Sequence, residues 1–519
     1  MKLAREAIRE ILEKELEETG EIERLKKRLA KKHNLDRIPK NSELLEEATD
    51  EEKEKLNPIL RKKPTRTLSG VSVIAIMTKP LECPGQCIYC PGGKEKNTPK
   101  SYTGEEPAAM RAEKNQYKAK KQVKNRLNQL KSIGHPTDKI ELILMGGTLS
   151  SHPKYMEKFV KNALDALNQE KSRNIKEAKK KNEESSHRCI GITFETRPDY
   201  CKQKHVDKML ELGGTRVEIG VQHPDNQIYK IIKRKHTVKD VVEATEAART
   251  SLLKINYHVM PNLPGSTPEK DLEMFKELFQ NKEYKPDMLK IYPTLLTDPE
   301  KTKQETELHK KWKKGEWKPY GEEKTIDLLA KARKHIPKYL RVMRTQRDIP
   351  ANLIKKGVTS SNLRTLVDKK AEELGIKTKE IRYREIRNEE PEKTEIKKEE
   401  YRTKNTEETF ISVEDPVKDK IIGFTRLSFP EKSKRPEINE DTAGIRELHV
   451  YGPSKSIKDK KDGRGVQHKG YGEKLLEKAE EIARKNGKEK MLVISGIGAR
   501  QYYRKKGYKL KEPYMKKEL

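Results

Sequence analysis

The 519-residue sequence has few apolar residues, few aromatic residues and no long apolar run. Only 32% of its residues are hydrophobic, and no apolar stretch reaches the roughly 20 residues that a membrane-spanning helix requires. No positively charged segment followed by an apolar one opens the chain, so we expect no signal peptide. The five cysteines are too few and too clustered for a disulfide framework. We therefore expect a cytoplasmic protein that has no membrane partner.

Acidic residues are outnumbered, because 83 Asp and Glu stand against 115 Lys and Arg and leave a net charge of +32. The charged content of 38% has two explanations, either an ion-pair-rich surface of the kind found in thermophilic proteins or partial disorder. Recurrent apolar strands favour the first explanation. Ion pairs require equal numbers of positive and negative groups, so they do not explain the excess of positive charge. This excess indicates a polyanionic partner and favours nucleic acid over a membrane surface.

The chain is too long for one hydrophobic core, so we expect several domains. We divide it into a basic, mostly helical region at 1–70, a domain of alternating strands and helices at 71–345, a linker at 346–390 and a smaller domain at 391–519. Repeated strand–helix units predict an α/β fold with a parallel sheet, either open or curled toward a partial (β/α) barrel. Functional residues should lie at the carboxyl ends of the strands.

Two segments of the alternating domain are less regular. A helical pattern covers 107–132, so a helix is predicted there. The segment 168–186 is polar and lysine-rich and has little apolar periodicity, so we expect a solvated helix or loop.

Basic segments along the chain are candidates for RNA contact. The run 61–66 is a knot of basic residues before the alternating domain, where phosphate contact and a plain solvated surface are both reasonable interpretations. Another segment interleaves lysines with Trp312 and Trp317, and predicts either an amphipathic helix that buries Trp312 or a surface that stacks on RNA bases. Alternating arginines at 382–387 predict a phosphate-facing strand in the linker.

Three of the five cysteines lie on one short loop. Cys83, Cys87 and Cys90 have the spacing C-x3-C-x2-C and directly follow an apolar run that predicts the first strand. Thiolates are soft ligands that suit zinc or iron–sulfur clusters, and a closed zinc site normally has four ligands. Three cysteines leave one iron of a four-iron cluster open to a small molecule. A zinc site completed by a distant histidine and three reduced structural thiols are the alternatives.

This loop resembles the cluster loop of the radical S-adenosylmethionine (SAM) enzymes, in which the open iron binds the methionyl end of SAM. In that family a glycine-rich backbone after the second strand meets the amino group of SAM, and Gly146 and Gly147 stand there, although two glycines can also form a simple turn. Glu195 ends the predicted third strand, and Lys290 lies near the end of the sixth. A polar strand residue of this kind is as often a satisfied barrel residue as a catalytic one.

A second glycine-spaced loop lies in the C-terminal domain. Two predicted strands precede Gln467-x-x-Gly470-x-Gly472, and a predicted helix follows it at 473–486. Backbone N–H groups at the start of a helix bind pyrophosphate. This order of elements resembles the GNAT acetyltransferases, in which the loop holds coenzyme A, and a structural glycine turn is the alternative.

The fusion of these two domains resembles the family of the Elongator catalytic subunit, the tRNA uridine acetyltransferases that modify the wobble base. The match runs nearly end to end and includes the cysteine loop with the Pro-Gly-Gly that follows it. Further matching motifs are Ser101-Tyr102-Thr103-Gly104-Glu105-Glu106-Pro107, Leu144-Met145-Gly146-Gly147-Thr148, Leu289-Lys290-Ile291-Tyr292-Pro293-Thr294, Gln346-Arg347-Asp348-Ile349-Pro350, Arg446-Glu447-Leu448-His449-Val450-Tyr451-Gly452 and Tyr502-Tyr503-Arg504.

The resemblance implies a site residue by residue. Cys83, Cys87 and Cys90 hold a [4Fe-4S] cluster, with Gly146, Gly147 and Glu195 beside SAM. The residues that it implies for acetyl-CoA are Lys139, Glu447, Leu448, His449, Val450, Gln467, Gly470, Tyr471, Gly472, Glu473 and Tyr503. The candidates for catalysis are Lys290, His449, Tyr502 and Tyr503. Some members carry linker cysteines for zinc, and 378–385 has none, so we expect no structural zinc there.

The implied reaction forms 5-carboxymethyluridine at position 34 of tRNA. A radical generated from SAM takes hydrogen from the acetyl methyl of acetyl-CoA, and the carbon joins the uracil ring. The implied partners are tRNA, through its anticodon stem-loop, acetyl-CoA and, as a candidate, a second copy of the chain. The competing function is a protein-lysine acetyltransferase with a structural iron–sulfur domain. A non-catalytic RNA-binding scaffold would require the acetyl-CoA motifs to be vestigial.

Overall fold

The computed structural model describes residues 2–62, 67–452 and 470–519. Most of the predicted basic knot and the predicted coenzyme A contact Gln467 lie outside these ranges. Each described helix is too short or too polar to span a bilayer.

The N-terminal region is helical, as predicted. Its helices are α1 (Lys2–Glu13), α2 (Thr19–Lys32), α3 (Asn41–Glu47) and α4 (Asp50–Leu60). Their apolar faces form a core separate from the main one, because Ile8, Leu44 and Leu56 bury fully against one another. The Arg61 Nε donates a hydrogen bond to the Gly134 carbonyl at 2.8 Å and so joins this region to the next.

Seven parallel strands form the first sheet in sequential order. They are β1 (Val71–Met77), β2 (Lys139–Met145), β3 (Arg188–Thr196), β4 (Arg216–Gln222), β5 (Lys254–Val259), β6 (Met288–Ile291) and β8 (Arg341–Arg344). The short strands β7 (Leu296–Thr297) and β9 (Ile354–Lys356) pair beside it. In β1, Ile74 and Ile76 are fully buried in the hydrophobic core, whereas Val73 is 42% exposed and faces a central cavity. The sheet is therefore curled around an open lumen, as the sequence predicted.

Helices cover the outer face of this sheet and fill the connection to the second one. They are α5 (Pro107–Lys114), α6 (Ala119–Ser132), α7 (Pro153–Asn168), α8 (Ile175–Asn182), α9 (Gln203–Glu211), α10 (Asn226–Ile231), α11 (Val238–Thr250), α12 (Pro268–Gln280), α13 (Pro299–Thr302), α14 (Glu307–Lys313), α15 (Glu322–Ala332), α16 (Leu363–Glu373) and α17 (Ile381–Arg384).

The prediction of one helix across 107–132 is wrong in its middle. Gln116 and Tyr117 adopt left-handed backbone angles, with φ of 53° and 54°, and they separate α5 from α6. A hydrogen bond of 3.2 Å from the Tyr117 hydroxyl to the Asn97 carbonyl contributes to this turn. Helical patterning continues on both sides of the break, so periodicity alone does not reveal it.

The lysine-rich insertion is less solvated than predicted. Within α8, Lys179 is 3% exposed, and its ammonium donates to the Glu211 carbonyl at 2.9 Å and to Glu512 Oε2 at 3.0 Å. Because Glu512 belongs to the C-terminal domain, the insertion helps to join the two sheets. The ion pair of 2.9 Å between Glu183 and Arg500 acts in the same way.

Two predictions about basic segments are corrected. The predicted amphipathic helix forms as α14, in which Trp312 is half-buried against the core. Trp317 is more buried still, and its Nε1 donates to the Asn262 carbonyl at 3.1 Å, so Trp317 has no face to offer an RNA base. The predicted strand of alternating arginines does not form: its first part belongs to the short helix α17, and Arg387 lies in the turn that follows. In α17, Arg384 is buried and binds Glu414 at 2.5 Å, because burial of a guanidinium requires a paired carboxylate.

The C-terminal domain is a seven-stranded mixed sheet in the order β10-β11-β12-β13-β14-β16-β15. Its strands are β10 (Glu395–Arg402), β11 (Thr406–Asp415), β12 (Lys420–Pro430), β13 (Thr442–Val450), β14 (Lys490–Val493), β15 (Lys509–Lys511) and β16 (Tyr514–Glu518). Helices α18 (Tyr471–Lys485) and α19 (Arg500–Arg504) complete it. The expected parallel α/β sheet followed by an α+β domain is confirmed.

A buried ion network fixes the two sheets together. Arg446 of β13 is fully buried, and its Nη2 lies 2.5 Å from Asp287 Oδ1 and 2.9 Å from Glu408 Oε2. Asp287 directly precedes β6 of the first sheet, and Arg249 of α11 lies 3.5 Å from the same carboxylate. The amino ends of the parallel strands are thereby held against the C-terminal domain.

Candidate active site

One cavity of about 1540 Å³ connects the two predicted centres. Its wall includes Cys83, Cys87 and Cys90 beyond the carboxyl ends of the parallel strands. It also includes residues at the amino ends of those strands, such as Lys139, and residues of the C-terminal domain, such as His449. The cavity therefore passes through the lumen of the curled sheet.

The cysteine loop presents three free thiols to this cavity. The Cys83 sulfur lies 3.6 Å from Thr148 Oγ1, and the Cys90 sulfur accepts a hydrogen bond from the backbone N–H of Ser101 at 3.2 Å. Arg234 donates to the Cys87 sulfur at 3.2 Å. Burial alone would raise the pKa of the Cys87 thiol, but the charge and hydrogen bond of Arg234 outweigh burial and lower it. Cys87 is therefore predisposed to the thiolate form that a metal ligand needs.

The spacing of the sulfurs argues against one zinc ion. Among the described residues, one group of His, Cys, Asp and Glu brings its ligand atoms within 4.8 Å of one another, and it is Glu195, Glu218 and His258. The three cysteine sulfurs therefore do not all lie within this limit of one another. One zinc ion with Zn–S bonds of about 2.3 Å would need them within about 4.6 Å. Three separated thiols fit a cluster with several irons better.

Glu195, Glu218, His258 and Lys290 form an ion network in the lumen. The Lys290 ammonium contacts the Glu218 carboxylate and lies 3.7 Å from Glu195, and His258 Nε2 lies 2.7 Å from Glu218. Burial opposes the charge on Glu218, but Lys290 and His258 overcome it and hold its pKa well below its usual value. The Lys290 ammonium thus contacts two of the three candidate metal ligands. Glu218 in turn raises the pKa of Lys290 despite burial, so Lys290 acts as a cation and not as a base.

The predicted glycine pair follows β2 in a conformation that requires glycine. Gly146 and Gly147 have φ of +115° and +97°, and a Cβ on Gly146 would lie 2.3 Å from Thr78 Oγ1. Gly147 lines the cavity. The Tyr102 hydroxyl donates to Glu195 at 3.0 Å, so the end of β3 is fixed close by.

The C-terminal end of the cavity lies where two parallel strands diverge. β14 pairs with β13 over Thr442–Ile445, whereas β13 continues to Val450. The predicted contacts Glu447, Leu448 and His449 lie on this continuation and line the cavity. A bulge in the pairing with β12, opposite Arg426 and Leu427, adds to the divergence.

Glycines and tyrosines surround the start of α18. Gly470 has φ of +74° and caps this helix, so the first backbone N–H groups of α18 follow directly. A Cβ on Gly472 would lie 3.4 Å from the Tyr502 hydroxyl and 3.7 Å from Val450. Tyr502 and Tyr503 contact each other edge to face, with ring centroids 5.2 Å apart.

The charged groups at this end have shifted pKa values. Burial lowers the pKa of His449 to about 4, so its imidazole is neutral at neutral pH. Glu447 accepts a hydrogen bond from Arg426 at 2.8 Å, and the charges of Arg426 and Lys254 lower its pKa against the effect of burial. Burial raises the pKa of Tyr503, whose hydroxyl remains a proton donor.

The structure thus brings most of the predicted site residues to one cavity. The predicted residues on its wall are Cys83, Cys87, Cys90, Lys139, Gly147, Glu195, Lys290, Glu447, Leu448, His449, Tyr502 and Tyr503. The described residues Gly146, Val450, Gly470, Tyr471, Gly472 and Glu473 were also predicted, and they do not line this cavity. The Glu473 carboxylate contacts the Lys506 ammonium.

Sequence reasoning missed His258, Arg197 and Arg234. His258 stands opposite Lys290 in the register of β5 and β6 and faces the lumen two residues before Met260. The alternation of lumen-facing positions along β5 could have indicated it. Arg197 directly follows β3, and Arg234 lies in a loop without a pattern.

Four family models match the chain. They are the ELP3 N-terminal domain at residues 1–68, the Radical SAM superfamily at 81–278, the Radical SAM C-terminal domain at 286–373 and the Acetyltransferase (GNAT) family at 376–508.

Curated relatives resemble the chain over nearly its whole length. The tRNA uridine(34) acetyltransferase of Methanocaldococcus infernus is 47% identical over 495 residues, which are 93% of this chain and 92% of the relative. Elongator complex protein 3 of Homo sapiens is 40% identical over 517 residues, which are 96% of this chain and 93% of the relative. A solved structure, the archaeal Methanocaldococcus infernus Elp3 with an N-terminal deletion, is 42% identical and covers 87% of this chain and 99% of its own, with a TM-score of 0.75.

Proposed function

This chain belongs to the family of the tRNA uridine(34) acetyltransferases and Elongator complex protein 3, as its motifs predicted, and we propose that it uses acetyl-CoA to form 5-carboxymethyluridine at the wobble position of tRNA. Its radical SAM and GNAT domains make it an enzyme with two kinds of chemistry. The observation that carries the proposal is the single cavity that both domains line. In the proposed reaction the radical must reach the methyl carbon of acetyl-CoA, so the two binding sites must open into the same space.

At the radical SAM end, Cys83, Cys87 and Cys90 would hold the cluster, and Gly147 and Glu195 would contact SAM. The cluster and SAM, when bound, supply the radical chemistry that activates an unreactive methyl carbon. The chain itself supplies three free thiols and, at Gly147, a backbone without a side chain beside the cavity. In the lumen, the charge of Lys290 is paired with those of Glu195 and Glu218. A lumen with paired charges can exclude water without leaving an uncompensated charge.

At the GNAT end, the diverging strand β13 and the start of α18 would hold acetyl-CoA. Backbone N–H groups at a helix start favour the pyrophosphate, and the continuation of β13, which has no partner strand on its β14 side, suits the pantetheine arm. Neutral His449 can accept a proton from the water that releases coenzyme A, and the Tyr502 and Tyr503 hydroxyls can donate to the thioester oxygen. Lys290, the remaining candidate, is a cation that contacts Glu218 and Glu195 and would orient these neighbours.

The positive charge of the cavity wall supports tRNA as the partner. Arginines from several elements share this wall, and they are Arg188, Arg341, Arg344, Arg347, Arg382 and Arg387. Arginine pairs with phosphate through two N–H groups, and the net charge of +32 attracts RNA from a distance. We propose that the helical region at 1–70 extends this tRNA surface. Arg61 is a weak contributor, because its guanidinium is bound to the Gly134 carbonyl.

The test is an isotope experiment with the reconstituted, anaerobic protein. Acetyl-CoA labelled in the methyl carbon is supplied with SAM, a reductant and unmodified tRNA, and the nucleosides are analysed by mass spectrometry. We expect the label in the new side chain of uridine 34. An unlabelled tRNA, together with Cys87→Ala protein that acetylates protein lysines at the full wild-type rate, would favour the lysine acetyltransferase instead.

A further inference from the structure

Two buried arginines contact the cysteine loop from segments that connect the strands of the parallel sheet. Arg234 is 7% exposed, and each of its three nitrogens has a partner. Nη1 donates to the Cys87 sulfur at 3.2 Å, Nη2 to the Gly220 carbonyl at 2.6 Å and Nε to His236 Nε2 at 3.0 Å. Burial and the charges of both arginines lower the pKa of His236 to about 2, so this imidazole is a neutral acceptor. The guanidinium is therefore fixed in place against Cys87.

Arg234 is a buried cation without a carboxylate. Within the described residues no Asp or Glu forms an ion pair with it, and the group that its Nη1 contacts is the Cys87 sulfur. A buried charge is costly unless an opposite charge compensates it. The compensation must come from the cysteine loop, and three thiolates around a cluster would provide it.

Arg197 approaches the same loop from the end of β3. It is 4% exposed, and Asp199 holds it through Nε and Nη2, both at 2.9 Å. Its Nη1 is buried and has no hydrogen-bond partner. A Cβ on Gly85 would lie 2.2 Å from this nitrogen, so the guanidinium packs against the loop where glycine leaves room for it. An unsatisfied buried donor beside the cysteines indicates a group that the loop is built to hold.

We propose that Arg234 and Arg197 are positioning residues that raise the reduction potential of the iron–sulfur cluster held by Cys83, Cys87 and Cys90. The inference rests on the proposed cluster. Reduction adds one electron to a cluster that the thiolates already make anionic, and nearby positive charge and N–H···S hydrogen bonds stabilise that extra charge. Because both arginines are buried, water and salt screen them little. Arg234 should have the larger effect, since Asp199 offsets the charge of Arg197.

The test measures the potential of the cluster itself and not activity. Wild type, Arg234→Gln, Arg234→Lys and Arg197→Gln are reconstituted anaerobically, and iron and sulfide are counted. The cluster is then titrated with dithionite without SAM, and its reduced form is followed by electron paramagnetic resonance. Arg435→Gln is the matched control, because it removes an arginine that pairs with Asp207 and Glu437.

We expect Arg234→Gln to lower the equilibrium constant for one-electron reduction about tenfold, which is about 59 mV. Arg234→Lys keeps the charge and should lose less, and Arg197→Gln should shift the potential in the same direction by a smaller amount. The control should match wild type. If Arg234→Gln does not load a cluster, the other two variants carry the same comparison.

Three outcomes would overturn the inference. Loaded variants with the wild-type potential would show that neither arginine acts on the cluster. A shift that is seen only after SAM is added would assign the arginines to SAM. Wild-type protein that takes up no iron under conditions that preserve its fold would refute the cluster and also the proposed function. The first two outcomes refute only the role of the arginines and leave the proposed function standing.

Discussion

The two ends of the cavity are built on different principles. At the cysteine-loop end the binding groups are side chains, namely the thiols, the arginines and the charged network around Glu218. At the GNAT end the binding groups are mainly backbone groups, at two glycines near a helix start and along a strand that diverges from its neighbour. The first end should therefore be damaged by the removal of a side chain, and the second by the addition of one.

The largest effect is expected for Cys87→Ala. Loss of one of three thiolates should abolish cluster loading and reduce 5-carboxymethyluridine below detection, while acetyl-CoA still binds at the other end. Iron analysis, mass spectrometry of nucleosides and calorimetric titration with acetyl-CoA measure the three quantities. Cys189→Ala is the matched control, since Cys189 is a fully buried thiol of β3, and its variant should keep its iron. Loss of iron from both variants would mean that misfolding is the cause.

The next effect concerns the buried ion network of Asp287, Arg446 and Arg249, which holds the two sheets together. Asp287→Asn leaves Arg446 and Arg249 buried beside a neutral side chain, and we expect a loss of about 3–5 kcal/mol in the free energy of unfolding. Glu437→Gln, which breaks a less buried pair with Arg435, should cost less than about 1 kcal/mol. Denaturant unfolding monitored by circular dichroism measures both. Equal losses would show that the buried network is not special.

The same aspartate predicts a dependence on pH. Burial opposes its ionisation, but Arg446 and Arg249 hold the pKa of Asp287 below its usual value. A carboxyl with a depressed folded-state pKa stabilises the fold above its unfolded pKa of about 3.9, and this stability is lost as pH falls further. Wild type should therefore lose melting temperature below about pH 4 more steeply than Asp287→Asn does. Parallel curves would contradict the assignment.

A smaller effect is expected at the backbone end. Gly472→Val places a branched side chain against the Tyr502 hydroxyl, and the KM for acetyl-CoA should rise about tenfold, or about 1.4 kcal/mol, with normal iron loading. Gly472→Ala adds a Cβ at an ordinary contact distance of 3.4 Å and should change the KM little. Equal effects of alanine and valine on the KM would contradict the view that Gly472 is needed to leave room beside the backbone.

The smallest effect concerns tRNA. Arg387→Ala removes an exposed cavity-wall arginine and should reduce the slope of log affinity against log salt by about 1. Arg382→Ala should reduce it less, because the Arg382 guanidinium already donates to the Met343 carbonyl. Lys511→Ala, at an exposed position of β15, is the control. Filter binding at several salt concentrations measures the slopes. Unchanged slopes would mean that these arginines contact no phosphate.

How far the sequence predicts this site depends on how local each signal is. The parallel strands and the cysteine loop follow from residues that are adjacent in the chain. The partners of Arg384 and His258 lie 30 and 40 residues away, so their burial and pairing could not be read from neighbours. The break at Gln116 and Tyr117 depends on backbone angles that residue type leaves open.

The central claim is that both ends act on one substrate within one chain, and a mixing experiment tests it most directly. Cys87→Ala lacks the cluster, and Gly470→Glu places a negative charge where the pyrophosphate would approach the start of α18. Each protein is first mixed with wild type to show that it does not inhibit. The two variants are then mixed with each other, with tRNA, SAM, reductant and acetyl-CoA. We predict no 5-carboxymethyluridine, because neither chain has a complete cavity; product at a substantial fraction of the wild-type rate would contradict the account.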